Sequence, residues 1–393
     1  MVEINFFSDS KLDALYPLNL GRCISSLNYG GRSIRTQWKE AMDGVQYKRI
    51  RLNSRLLPSS TSINAILELR SGEQWIHEGI LIAEIEGISE PKVAHNSILP
   101  NLLNSAADLF EKCGEGIAED LDRIKLSWRT RTLEEEEREA WARVGVFING
   151  PLDKIHIAPG AQIRSCSLNT EGGDIILGQD SEVMEGCRIR GPFILGEKSQ
   201  LKMGALIYGP SSVGSDCRIG GEISNSVFHD YSNKAHGGFV GNSVIGSWCN
   251  LGAETSTSNL KNNYSEIKVW DNEGGEFEKS GRMFCGLLMG DHSKTAIHTA
   301  FNSGTTVGAF CNVFCSSTPL KHIESFTWGG SETSEAYDIE KAIVMAWDDS
   351  DDNPPDWALD NETRDILVSN GKVEPEQEEP EMESYDPRME PSR

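Results

Sequence analysis

Between Leu177 and Ile219 an aliphatic residue stands at every sixth position: Leu177, Val183, Ile189, Leu195, Leu201, Ile207, Val213 and Ile219. Glycine follows at 178, 196 and 214, giving a longer period of eighteen. An α-helix repeats every 3.6 residues and a plain strand every two, so neither keeps a period of six on one face. The pattern fits a chain that turns a corner after each short strand and closes a triangular coil at every third corner. The repeated aliphatic then points inward, and stacked coils share one continuous core. Two further runs share this spacing: Phe239, Ile245, Leu251 and Phe301, Val307, Val313. Residues 146–330 are therefore expected to form a parallel β-helix, which makes the chain mainly β.

The flanking regions read differently. With 393 residues and 38% hydrophobic content there is room for two or three domains. Residues 1–145 form a small α/β region, with strand-like pieces at AILELR (65–70) and KVAHNSILP (92–100). A helix is expected over Thr132–Val144, with Thr132 and Glu135 as a capping box. Residues 331–372 read as a C-terminal helical extension. Residues 373–393 are rich in Glu and Pro and read as a disordered acidic tail. The net charge of −23 argues against nucleic acid as a main partner, since phosphate binding needs a basic surface. The chain shows no secretory leader and no apolar run of membrane-spanning length. The nine scattered cysteines read as reduced thiols. These features point to a cytoplasmic protein with no membrane partner.

The repeat breaks twice. Ile219 to Phe239 spans twenty residues in place of eighteen, and a longer interruption runs from Ser258 to Phe284. Loops that leave a regular solenoid are where such molecules place binding sites. The first break holds His236 among glycines, in NKAHGGFVGNSVIGSWCNLGAETSTSN. That stretch resembles the acetyltransferase domain of bifunctional N-acetylglucosamine-1-phosphate uridyltransferase/glucosamine-1-phosphate acetyltransferase. Lys234 and His236 match the family's lysine-to-histidine segment. Leu251-Gly252-Ala253-Glu254-Thr255 matches its Ile-Gly-Ala-Gly-Thr turn, and Ser258-Asn259-Leu260 its Cys-Asn-Tyr loop. YPLNLGRCISSLNYGGRSIRTQW, SNLKNNY and GLLMGDHSKTAIHTAFNSGTTVG resemble sugar nucleotidyltransferase-like proteins that share this β-helix.

The resemblance implies a left-handed coil, a homotrimer, and acetyl transfer from acetyl-CoA to a sugar-related acceptor. It implies His236 as general base, a role that suits an imidazole with an ordinary pKa near 6.5. The glycines beside it are expected to leave room for a ligand. It implies Asn259 at the sugar, Ala253 at the thioester, and Glu222 as a matching acid. The family's phosphate-gripping Arg-Leu-Arg-Pro is replaced by Leu206–Pro210. Lys261 and Lys268 of the second break stand in as acceptor cations, and Lys294 of GDHSK as a cation for CoA or nucleotide phosphate.

Other readings stay open. Gly30-Gly31-Arg32 lacks the pattern of a phosphate loop and no acid pair accompanies it. The N-terminal region therefore reads as a degenerate or truncated nucleotidyltransferase, with Mg²⁺ needed only if that activity is retained. His229, His236, His292 and His298 allow a zinc reading, weakened because His292 and His298 fall on successive faces. A non-catalytic trimeric scaffold, with His236 as a structural residue, is the remaining alternative.

Overall fold

The computed structural model describes residues 2–45, 49–87, 92–94, 98–338 and 341. The expected disorder of 373–393 and most of the expected helical extension lie outside these residues. Of the described part of the extension, Glu335–Ala336 forms a strand antiparallel to Thr327–Trp328.

Three stacks of short parallel strands build the solenoid. One face runs from Ile155–Ile157 up to His322–Ile323, a second from Gln162–Ile163 to Thr327–Trp328, and a third from Phe147–Asn149 to Phe239–Gly241. The aliphatics spaced by six lie in ladder register: Leu177 beside Leu195, Val183 beside Leu201, Ile189 beside Ile207. All of them are buried in one core, so the six-residue period is the period of the faces. The corner from the first face to the second is left-handed in backbone. Asp180, Lys198, Asp216, Tyr231, Trp248, His292, Phe310 and Phe326 stack there with φ between +53° and +63°. The aromatic members stack ring on ring: Tyr231–Trp248 at 4.2 Å, His292–Phe310 at 4.7 Å and Phe310–Phe326 at 5.1 Å between centroids.

The first break shortens the coil. Only Gly220 and Gly221 separate Ile219 from Glu222, whereas Lys202–Ala205 separate Leu201 from Leu206 one coil below. The ladder partner of Ile219 is Lys234, fifteen residues on. The next corner loses one more residue, since Ile223 to Phe228 is five residues where Ile207 to Val213 is six, and the inward residue of strand Phe239–Gly241 is Val240, not Phe239. Phe239 faces outward beside Glu222.

The N-terminal region packs sideways onto the first face. Its five strands run in the order Glu3–Phe7, Arg49–Asn53, Ile80–Ile85, Glu73–His77, Lys92–Val93. AILELR is not a strand: residues Ser60–Leu67 form a helix, begun by Ser59, whose side chain accepts from the Ser62 N–H. The expected helix over Thr132–Val144 is shorter. Arg131–Thr132 is a strand, and only Arg138–Arg143 is α-helical, behind a capping box formed by Glu134 and Glu137.

The outward side chains of the first face, Ile176, Ile194, Val227, Val244 and Leu288, are buried in one cluster with Trp38, Trp75 and Phe110 of the N-terminal region. Gly31 serves this packing, since a Cβ there would lie 2.6 Å from Ile194, and Gly30 serves the region's own, where a Cβ would lie 2.2 Å from the Gly116 carbonyl carbon of helix Cys113–Ser127. Polar anchors complete the seam. Buried Arg22 pairs with Asp291 at 3.0 Å, and Asn28 Nδ2 donates to Asp230 Oδ1 at 3.0 Å.

The second break leaves the solenoid as a hairpin, Lys268–Asp271 with Glu276–Lys279. It leans back toward the first face. Trp270 stacks on His322 at 3.8 Å, Ile267 joins the N-terminal core, and Arg282 pairs with Asp108 and Glu111.

Candidate functional site

His236 sits on the corner joining strand Asn233–Lys234 of the second face to Phe239–Gly241 of the third, and it is exposed. The shortened Gly220–Gly221 corner lies directly beneath it, so the edge is notched under the imidazole. The corner above carries Ala253–Thr255. A Cβ on Gly237 would lie 2.2 Å from Glu254 Oε1, and one on Gly238, where φ is +105°, would lie 2.2 Å from the Thr255 carbonyl oxygen. These glycines are there because the next coil presses on them, and they do not open space for a ligand as expected.

Glu254 therefore stands with its carboxylate against the residue next to His236, exposed and with φ of +60°. A carboxylate beside an imidazole can orient it and stabilise its protonated form. The sequence carried one signal for this: Glu254 occupies a glycine position of the matching turn.

The neighbouring residues of the third face extend the site. Glu222, Phe239 and Ser256 stand one above another; Glu222 pairs with Phe239, whose N–H donates to Ser256 Oγ at 3.2 Å. A Cβ on Gly241 would lie 2.4 Å from Phe239 Cζ and 2.8 Å from Asn259 Nδ2, so ring and amide are neighbours at the far edge of the strand. Asn259 Nδ2 donates to Asn242 Oδ1 at 2.8 Å. His236 and Asn259 thus bracket one outer face, separated by the three residues of strand 239–241, about 10 Å along the chain. Ala253 is on the corner above His236. Its carbonyl accepts from the His298 N–H at 2.7 Å.

The loop cations lie elsewhere. Lys261 Nζ donates to the Glu266 carbonyl at 2.7 Å, and Lys268 is on the hairpin, where its carbonyl accepts from Lys321 Nζ. Within one chain neither reaches His236. Lys294 faces outward on the second face beside Asn250. In GDHSK, Asp291 and His292 are buried at the aromatic corner, and burial holds the His292 pKa down to about 3. His229 is likewise fully buried, with a pKa pushed down to about 3 by desolvation, and its Nδ1 donates to the Ile245 carbonyl. The four histidines of the zinc reading thus divide between two corners, and no three metal-ligating side chains converge among the described residues. No helix of the described residues is long and apolar enough to cross a membrane.

South along the third face, Asn149, Ser167, Asn169, Arg188, Arg190 and Tyr208 line a shallow groove of about 280 Å³. Acids outnumber bases 60 to 37 in this chain. Even so, neither Arg188 nor Arg190 has a carboxylate partner among the described residues, whereas Arg22, Arg32, Arg55 and Arg282 each have at least one. The sequence reading missed this pair.

Known proteins share parts of this chain. A bifunctional sugar-1-phosphate nucleotidylyltransferase/acetyltransferase of Sulfurisphaera tokodaii is 33% identical over 144 residues, 36% of this chain and 35% of the relative. The chain resembles these bifunctional enzymes. The bifunctional protein GlmU of Methanocaldococcus jannaschii is 33% identical over 107 residues, 27% of this chain and 26% of the relative. The matched part thus spans about a third of the length of these curated relatives, or less. No family model matches the chain. Among solved structures, the polySia specific acetyltransferase NeuO is 11% identical, with a TM-score of 0.29 over 49% of this chain and 85% of its own. A score that low says nothing about function.

Proposed function

We propose that the protein is a hexapeptide-repeat acyltransferase that moves an acetyl group from acetyl-CoA to the amine of a sugar or sugar-nucleotide acceptor. The observation that carries this reading is His236, an exposed imidazole over a notch in an otherwise regular edge, with the Glu254 carboxylate against its neighbour. The similarity to bifunctional acetyltransferases supports it. In this reading the acceptor nitrogen attacks the thioester carbonyl and His236 takes the proton that the amine loses. The C–S bond breaks, and the proton passes to the leaving CoA sulfur. The Ala253 carbonyl is engaged by His298, which leaves the Ala253 N–H as the donor for the developing oxyanion. Asn259, Phe239 and Glu222 hold the acceptor on the third face.

Arg188 and Arg190 supply the cations that Leu206–Pro210 lacks. Their strand lies three ladder steps below Phe239, about 14 Å at the usual spacing between strands. That span suits a nucleotide-linked sugar, with its diphosphate on the arginines and a flat ring against Tyr208, better than a monosaccharide phosphate. The protein would work as a cytoplasmic homotrimer whose neighbouring copy closes the third face and brings Lys261, Lys268 or Lys294 to the donor. The N-terminal region has its buried acids committed, Glu84 to Arg51, Asp108 to Arg282 and Asp120 to Arg32, and half-buried Asp9 pairs with Arg55. No step is assigned to Mg²⁺ there.

The test offers acetyl-CoA with amino sugars, their phosphates and nucleotide-linked amino sugars. His236→Ala should lower turnover by about 10²–10⁴-fold with an unchanged melting temperature, because His236 lies outside the core. Absence of acetyl transfer to every acceptor class, together with no binding of acetyl-CoA, would leave the scaffold reading in its place.

A further inference from the structure

Lys234 occupies a position that neighbouring coils fill with aliphatic side chains. Its ladder partner is Ile219, and Leu201 and Val183 lie in the same column below. Lys234 is fully buried, and no carboxylate forms an ion pair with it among the described residues, although Glu254 is close enough to act on it as a charge. An ammonium in such a place is costly, since desolvation disfavours the charged form, and burial pulls the Lys234 pKa down to about 8 against the opposing pull of Glu254. A leucine would pack this column at no such cost. What the ammonium does instead is local. Lys234 Nζ donates to the His236 carbonyl at 2.5 Å and to the Gly237 carbonyl.

Two consecutive carbonyls are thereby drawn toward the core. This fixes the peptide planes on both sides of Gly237 and turns the His236 side chain outward over the notch. The Gly238 φ of +105° belongs to the same geometry. Glu254 presses on the turn from above while Lys234 holds it from within. The arrangement needs a side chain long enough to reach past its own strand and rich enough in donors to satisfy both carbonyls, which lysine provides.

We propose that Lys234 is a positioning residue, an internal strut that sets the His236 turn and so fixes where the imidazole projects. The catalytic part of this rests on the acyltransferase reading; the strut itself does not. Lys234→Met keeps the length and apolar bulk and removes the donors. In the full chain, melting temperature should hold or rise. Turnover should fall at least tenfold with little change in KM for either substrate. The His236 imidazole signal, assigned by its loss in His236→Ala, should shift and broaden in NMR spectra of histidine-labelled protein. Lys234→Gln, which retains one donor, should fall between the two on every readout and serves if the methionine variant does not fold. If neither variant alters the imidazole signal, the strut is refuted. If the signal changes but wild type transfers no acyl group, the strut stands and the acyltransferase reading fails.

Discussion

His229 shows how one side chain ties stability to pH. It is fully buried and stays neutral, with a pKa near 3, while the unfolded chain takes up the proton near 6.5. Below pH 6.5 the unfolded state binds the extra proton, so stability falls as pH falls, by about 1.4 kcal/mol per unit for this group until about pH 3. His229→Asn, whose amide can donate to the Ile245 carbonyl, should flatten that dependence. Urea midpoints at pH 7, 6 and 5 would show it as a smaller separation between curves than in wild type. Lys234 has the opposite profile. Its folded pKa lies below its ordinary 10.5, so wild type should gain stability relative to Lys234→Met as pH rises from about 8 toward 10.5. Equal pH dependence in the two proteins would mean that the ammonium is not desolvated.

At the scale of elements, the regular coils were legible because their period comes from geometry that every coil repeats. The shortened coil was not. Two residues are lost at Gly220–Gly221 and a third between Ile223 and Phe228, so the inward position falls on Val240 beside Phe239, and a difference of one residue exchanges the faces of a strand. Lys234 is legible as part of the matching segment but not as an inward residue, for a related reason: a lysine in an aliphatic column looks like a break in the pattern until its carbonyl partners are seen. Of the candidate site, the setting of His236 and Asn259 along one outer face follows from the coil register, whereas the place of Lys261 and Lys268 does not, because a sequence does not show which way a hairpin leans.

The turn at 237–238 is the element most open to test. Gly237→Ala should displace the Glu254 carboxylate, and Gly238→Ala adds an unfavourable φ, worth about 1–2 kcal/mol. Both should lower the melting temperature, the second more. An unchanged melting temperature in Gly238→Ala would show that the turn is not held as described. A second ladder supports the coils: Ser199, Ser232 and Ser293 accept at Oγ from the N–H groups of Cys217, Cys249 and Cys311. Burial raises those thiols' pKa values, so they should resist alkylation in the folded protein.

For the whole molecule, the seam between the N-terminal region and the first face decides cooperativity. Arg22→Met leaves Asp291 buried without its cation, and loss of one partner of a buried pair typically costs about 3–5 kcal/mol. Differential scanning calorimetry should show a lower single transition. Two separate transitions in wild type would contradict the seam as a unit. The sequence did not reveal this packing, because nothing in a six-residue period says which face will be covered, and Arg22 and Asp291 are 269 residues apart.

That lateral cover changes how such a molecule comes apart. A stack of coils bound only to its neighbours frays from either end, one repeat at a time. Here a single body lies across the stack, touching it from Ile176 to Leu288 in the core cluster and, through Tyr16, as far as His322. It behaves as a splint on a spring. Pulled along its axis, the solenoid should not unravel coil by coil but should hold until the splint lifts, then extend in one large step.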